Sequence, residues 1–408
     1  MAIIKKIFIY LIFQLVSLNT QSQTSKKWTE YYALIDSAEI SIVDSIYNSA
    51  LNYYNKAFSI VDKPYGKDLY NASLCASNLE AFKTTTFLLN QLVDKGITRD
   101  YFENHKYFAS YRNSDSWKEF LNSYEVHRDT LRKHINLDLR NKIIKMIDRD
   151  QYFTQKKYDP GYGDSVFIVG YKNVKNILEI INYYGFPDSN MIGLEELSSE
   201  CLFQIILIHF YQCKAYFNDP KFINSERRIE FIKKGIDFNY INLDSILKNA
   251  IFEGKYNPTS MYSLQGSPFM LQIDDTISLV DYNKQTLHKL DSIRRLYGLC
   301  NMELLKKKGV YDLKAGNFRP KLKTESVTEY LPNQYINKKS YNFGVSILLS
   351  MFFTGGDKDH TYFKGIYNDL LVNPFSYKPA FTDIRPTINN SFKELDMKKV
   401  LKKTKPKF

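Results

Sequence analysis

Residues 71–96 read NASLCASNLEAFKTTTFLLNQLVDKG, and this stretch decides the fold. It has the form of two helices joined by a short turn, with Gly96 closing the second as a C-cap. The residues before it repeat the pattern faintly at an offset of 34: Ala38 recurs as Ala72, Ala50 as Thr84, Tyr54 as Leu88 and Ala57 as Gln91. Pro64 follows the first unit and Gly96 ends the second. In the first unit, Val43, Ile46, Tyr47, Ala50, Tyr54, Ala57, Phe58 and Val61 fall on one helical face. Small residues suit the points where paired helices cross, and a bulky residue four positions on fills the space beside them.

A period of 34 residues is that of a tetratricopeptide repeat. Residues 28–98 resemble a short tetratricopeptide-like region. The resemblance implies stacked helix pairs whose concave surface suits protein or peptide segments.

Downstream, residues 99–126 read as a connector. Phe102, Phe108, Tyr111, Trp117, Phe120 and Leu121 would cover the open end of the repeats, and Ser114 or Asp115 could cap a helix over Ser116–Tyr124. Residues 127–308 read as a second helical domain of unknown function. Leu131, Ile135, Leu139, Ile143, Met146 and Ile147 run at helical spacing. DPGYGDSVFIVG, residues 159–170, reads as a Gly-rich loop. A helix over Lys172–Tyr184 stops at Gly185 and Pro187, and the most apolar helix, Leu194–Phe217, ends at Asp219-Pro220. Further helices are expected over 224–235, 243–253, 283–297 and 301–308, with no convincing run of alternating strands. Residues 309–408 form a basic, less regular extension. Its apolar run Tyr341–Phe353 is 13 residues long, and a bilayer needs roughly 20. The expected class is therefore mainly α: helix-pair repeats docked on a second helical unit, with an irregular basic C-terminal extension.

The chain begins MAIIKKIFIYLIFQLVSLNTQS, with Lys5 and Lys6 before an apolar run and small residues Thr20 and Ser22 after it. That is the pattern of a signal peptide over 1–22, cleaved near Ser22, so export to a periplasmic or extracellular location is expected. No Cys follows the apolar run, so no lipid anchor is expected there, and no transmembrane span is expected in the mature chain. The net charge of +12 is concentrated: residues 306–408 carry 20 Lys and Arg against 9 Asp and Glu. The terminal KKVLKKTKPKF could hold the protein at an anionic envelope surface. No nucleic-acid partner is expected. Cys75, Cys201, Cys213 and Cys300 form no CxxC pair, which argues against zinc. Buried free thiols are the default reading. Cys201 and Cys213 would sit too far apart on one helix to pair, while Cys75 or Cys300 could enter a bridge.

The elements DRDQYF, NVKNILEIINYYGFPDSNMIG, FQIILIHFYQ and LDSIRRLYGL lie in that order between residues 140 and 300. Their pattern resembles an uncharacterised family of exported helical proteins from Bacteroidota-type bacteria. Phe153 stands where the pattern carries Arg. The resemblance implies an exported helical protein and no particular reaction.

Candidate chemistry is sparse. His209, inside ECLFQIILIHFYQC, is the leading residue, because histidine titrates near neutral pH and this one interrupts an apolar helix. Gln151, Asn176 and Arg295 could approach it across the bundle to form a small polar pocket. The simpler reading is a core histidine satisfied by a hydrogen bond. Asp138, Asp148 and Asp150 invite a paired-carboxylate reading, but Asp148 and Asp150 point to different helix faces, and Asp148-Arg149 reads as a solvated helix end. His127 and His134 share a face without a third ligand, and His360 between Asp357, Asp359 and Thr361 reads as a polar turn. No phosphate loop and no Gly-x-Ser-x-Gly elbow occur. No metal and no cofactor is implied. The leading expectation is an exported, non-catalytic binding or scaffold protein acting through helical-repeat surfaces. The alternatives are an enzyme with a polar pocket around His209, and surface attachment through the basic tail.

Overall fold

A computed structural model describes residues 24–156, 163–194, 197, 200–219, 222–260, 270–273, 276–279, 284–314 and 328–330. Residues 1–22, read from the sequence as a signal peptide, Tyr341–Phe353, His360 with its neighbouring Asp residues, and the Lys-rich C-terminal stretch lie outside the described residues. The described chain is mainly helical and built of packed helix pairs.

The first pair joins α1, residues 24–43, to α2, Tyr47–Ile60. The helical face read across Val43–Val61 is broken at its start. Ser45 takes φ 61°, a left-handed turn, and Ile46 is exposed as the residue before α2. From there the reading holds, with Ala50, Tyr54 and Ala57 buried along α2. The second pair is α3, Gly66–Asn78, and α4, Phe82–Lys95. Ala38 and Ala72, at the small positions of the repeat, are also fully buried.

The stretch 99–126 is itself largely helical. It holds α5 (Arg99–Glu103), a 3-10 turn (Lys106–Phe108), α6 (Ala109–Arg112) and the first part of α7, Asp115–His134. A boundary at 126/127 therefore falls inside α7. The reason is the buried face of the segment: Phe102, Phe108, Tyr111, Trp117 and Phe120 pack edge-to-face or stacked in a continuous chain. Such aromatic pairs add about 0.5–1.5 kcal/mol beyond their burial.

The second unit contains α8 (Leu137–Gln155), α9 (Gly163–Tyr184), α10 (Ser189–Ile192), α11 (Gln204–Phe217), α12 (Glu226–Lys233), a 3-10 turn (Phe238–Tyr240) and α13 (Asp244–Phe252). A helical turn at residues 258–260 (α14) follows, then α15 (Lys284–Leu296) and α16 (Met302–Lys314). The helical run expected through 131–147 breaks at Ile135–Asn136, where Asn136 caps α8 by accepting from Leu139 N at 3.0 Å.

Three expectations need correcting. The Gly-rich stretch is helical from Gly163, where α9 begins, and residues 159–162 lie outside the described residues. Val166, Phe167 and Val169 are buried on α9, which packs against α11, and a Cβ at Gly170 would be in ordinary contact with the Cys213 sulfur at 3.6 Å. The apolar helix begins at Gln204 rather than Leu194, so Cys201 and Cys213 do not share it. A small sheet is also present. Met270–Ile273 pairs antiparallel with Thr276–Leu279 and parallel with Thr328–Tyr330, so the C-terminal extension returns to the second unit.

One hydrophobic cluster runs from Trp28 to Tyr256 and takes in both units. Two glycines show how close the contact is. Gly96 has φ 121°, and a Cβ there would stand 2.6 Å from the Leu194 carbonyl. Gly254 has φ 70°, and a Cβ there would penetrate the Trp28 ring. Among the described residues no helix is long and apolar enough to cross a membrane. All four cysteines are buried, and no disulfide joins them.

Candidate functional site

His209 lies on the buried side of α11 and faces α8 and α9. Its Nδ1 makes a short hydrogen bond to Asp150 of α8, and Thr154 Oγ1 stands 3.4 Å from the same nitrogen. Asn173 of α9 donates to the other Asp150 oxygen at 3.3 Å, and Gln151 Nε2 donates to Asp150 at 3.3 Å. His209 is 8% exposed, Asp150 3% and Asn173 3%. A carboxylate in this position fixes the imidazole's orientation and its Nδ1 proton, leaving Nε2 as the nitrogen able to accept one. Gln151 thus joins the cluster through Asp150. Asn176 is half-buried and makes no hydrogen bond to it; Asn173, one turn earlier, takes that place. Arg295 is elsewhere: it is exposed and lines a separate cavity with Asp36 and Cys300.

The carboxylate reading splits. Asp138 and Asp148 are exposed, as is Arg149, whereas Asp150 is buried and partnered. Asp148 and Arg149 face solvent as read, and Asp150 alone of the three turns inward. It follows Leu139, Ile143 and Met146 on the buried face of α8. His127 pairs with Asp94 at 2.8 Å, and His134 Nδ1 bonds the Thr130 carbonyl at 2.7 Å. No group of three metal-ligating side chains occurs among the described residues.

A second buried cluster was not foreseen. Lys308 of α16 is fully buried between Asp36 and Glu39 of α1, bonding Glu39 at 2.8 Å and Asp36 at shorter range. Glu39 also faces Lys67 of α3 at 3.4 Å, and Asp36 accepts the Cys300 backbone N–H at 2.5 Å. Burial opposes the Lys308 charge, but Asp36 and Glu39 overcome it and hold the amine above the ordinary lysine value. Beside this cluster, Arg294 is 1% exposed and donates from Nε to the Cys300 carbonyl at 2.6 Å. The buried arginine of the Arg294-Arg295 pair is thus the one not singled out from sequence.

Two cavities accompany these clusters. The larger, about 610 Å³, lies between α1 and residues 295–304 and is walled by Ala33, Ile40, Tyr53 and Leu299 with Asp36 and Arg295. The smaller, about 360 Å³, lies at the C-terminal end of α4. Lys95, Asp94 and Gln91 of α4 line it with Asp62, Lys63, Thr130, His134 and Asn190. Lys95 is 8% exposed, and its ammonium donates to Asn190 Oδ1 at 2.7 Å. Burial lowers the Lys95 pKa below its ordinary value; Glu200 and Asp188 pull the other way without restoring it, and Lys63 adds to the lowering.

Comparison with protein-family models, with curated proteins and with solved structures finds no match to this chain. Its site readings therefore rest on its own geometry. Asn173 and Asp150 carry a legible signal, since each occupies an apolar phase of its helix. Lys95, Asn190 and Lys308 do not, because their partners come from distant parts of the sequence.

Proposed function

We propose that the chain is an exported, non-catalytic binding protein that holds a protein or peptide segment on its stacked helix pairs. The observation that carries this reading is the packing of α4 beside α7 in the same direction. Thr86 donates to the Ser116 carbonyl at 3.1 Å, Ser123 to Asn90 at 3.1 Å, His127 pairs with Asp94 at 2.8 Å, and Arg128 donates to the Gly96 carbonyl at 3.2 Å. These partners are 30 to 33 residues apart, about one repeat length. Like helices laid side by side present a continuous surface to a ligand chain. Phe87 on α4 and Val126 on α7 are 65% and 66% exposed on that array. A photo-crosslinking residue at either position should capture a discrete partner, whereas one at Tyr240, on the second unit, should not. The same adduct pattern from all three positions would sink the reading.

A second reading, an enzyme with a pocket around His209, is favoured by the Asp150 bond, which orients the imidazole as a proton acceptor requires. His209→Gln separates the two. A binding protein keeps its crosslinked partner, whereas an enzyme acting through His209 loses turnover of whatever substrate it is found to process.

A further inference from the structure

The cavity at the end of α4 has a chemical character that segment binding does not use. Charges of both signs face it: Lys63 and Lys95, Asp62 and Asp94. Lys95 is the buried one of the four. Its ammonium is nine-tenths buried, and its hydrogen-bond partner, Asn190, is neutral. Asn190 is held in turn, because its backbone N–H and its amide both donate to Asp188. Burial prevails over the pull of Glu200 and Asp188 on Lys95, so the amine keeps an unmet demand for negative charge. A cation left in this state beside an open cavity favours an anionic group from a ligand.

The other walls narrow that ligand. A dianion such as a phosphoryl group would face Asp62 and Asp94, and like charges at short range repel. Asp94 also pairs with His127 at 2.8 Å, and Asp62 is exposed. A ligand carrying both a carboxylate and an ammonium meets both sets of charges. The volume of about 360 Å³ is at the small end of ligand sites, which run from about 300 to 1,000 Å³.

We propose that this cavity binds a small zwitterion of the amino-acid class, its carboxylate seated against Lys95 and Lys63 and its ammonium toward Asp62 and Asp94. The site adjoins the α4–α7 array, since α4 and α7 both line it, but its ligand is a small molecule rather than a protein segment.

The test uses the full mature chain and a panel of free L-amino acids, with acetate and ethylamine as half-ligands carrying one charge each. Calorimetry should find an amino acid that binds at least about tenfold tighter than either half-ligand, a difference of about 1.4 kcal/mol. Lys95→Met should abolish this binding. Asn190→Asp supplies Lys95 with an internal counter-charge and should also remove binding, but it sets a carboxylate beside Asp188, so its fold is verified by circular dichroism; Lys63→Met, at an exposed position, should weaken binding and keeps the test decisive if the buried variants misfold. Three results would overturn the proposal: no amino acid binding at millimolar concentration, acetate or ethylamine binding as tightly as the best amino acid, or unchanged binding by Asn190→Asp.

Discussion

Lys308 and Lys95 are both buried lysines, and their surroundings give them opposite characters. Lys308 sits between two carboxylates of α1, fully buried, and ties α16 to the N-terminal helix pair. Lys95 has a neutral amide as its partner and lines a cavity. Burial costs both of them hydration. In the first case the protein supplies the compensating charge, and the lysine becomes a clamp between distant segments. In the second it does not, and the lysine is left able to respond to a ligand.

The comparison breaks most readily at Lys308. Lys308→Met leaves Asp36 and Glu39 buried without their shared cation. Removing one partner of a buried pair typically costs about 3–5 kcal/mol. Chemical denaturation should show a loss of that size. A loss below about 1 kcal/mol, the range of an exposed pair, would mean that the clamp contributes little. Lys95→Met should do the reverse: no loss, or a gain, because it removes a cation that lacks a charged partner.

The sequence made the helix pairs legible and the clamp invisible, for a physical reason. Ala38, Ala50, Ala57 and Ala72 announce close helix crossings through their small size and spacing, and all four are fully buried. The His209 cluster was half legible. His209 stands out on an apolar helix, and Asp150 follows Leu139, Ile143 and Met146 in helical phase, but nothing local links Asp150 to a histidine 59 residues away. Choosing between Arg294 and Arg295 needed the packing of α15 against residues 299–302, which no local pattern encodes. Lys308 lies 272 residues from Asp36, so its environment is set wholly by tertiary folding.

Two predictions of intermediate size sharpen the contrast between charge clusters and apolar packing. Asp150→Ala removes the acceptor of His209, Asn173 and Gln151 together, leaving buried donors unsatisfied at about 1–3 kcal/mol. Ala50→Leu should cost a similar 1–3 kcal/mol or so by overpacking the buried face of α2, with a lower melting temperature as the readout. The two should add when combined, since no contact joins the sites. A double variant much more stable than the sum would show that the two units are coupled through their common core.

The smallest effect is a pH dependence, and its sign separates the two lysines. Lys95 has a folded pKa below the ordinary 10.5, so the unfolded chain binds more protons as pH approaches 10.5 from below. Its contribution to stability therefore rises with pH across that window. Lys308 has a folded pKa above 10.5, so its contribution is complete below 10.5 and falls as pH climbs beyond it. Buried tyrosines such as Tyr31 and Tyr65, raised by burial, also titrate at alkaline pH, but they do so in wild type and variants alike and cancel in the difference. The stability of wild type minus Lys95→Met should slope upward with pH below 10.5. The stability of wild type minus Lys308→Met should be flat there and slope downward above it. Parallel slopes in denaturation series across this range would mean that the two lysines share one environment, and that the distinction between clamp and ligand site is false.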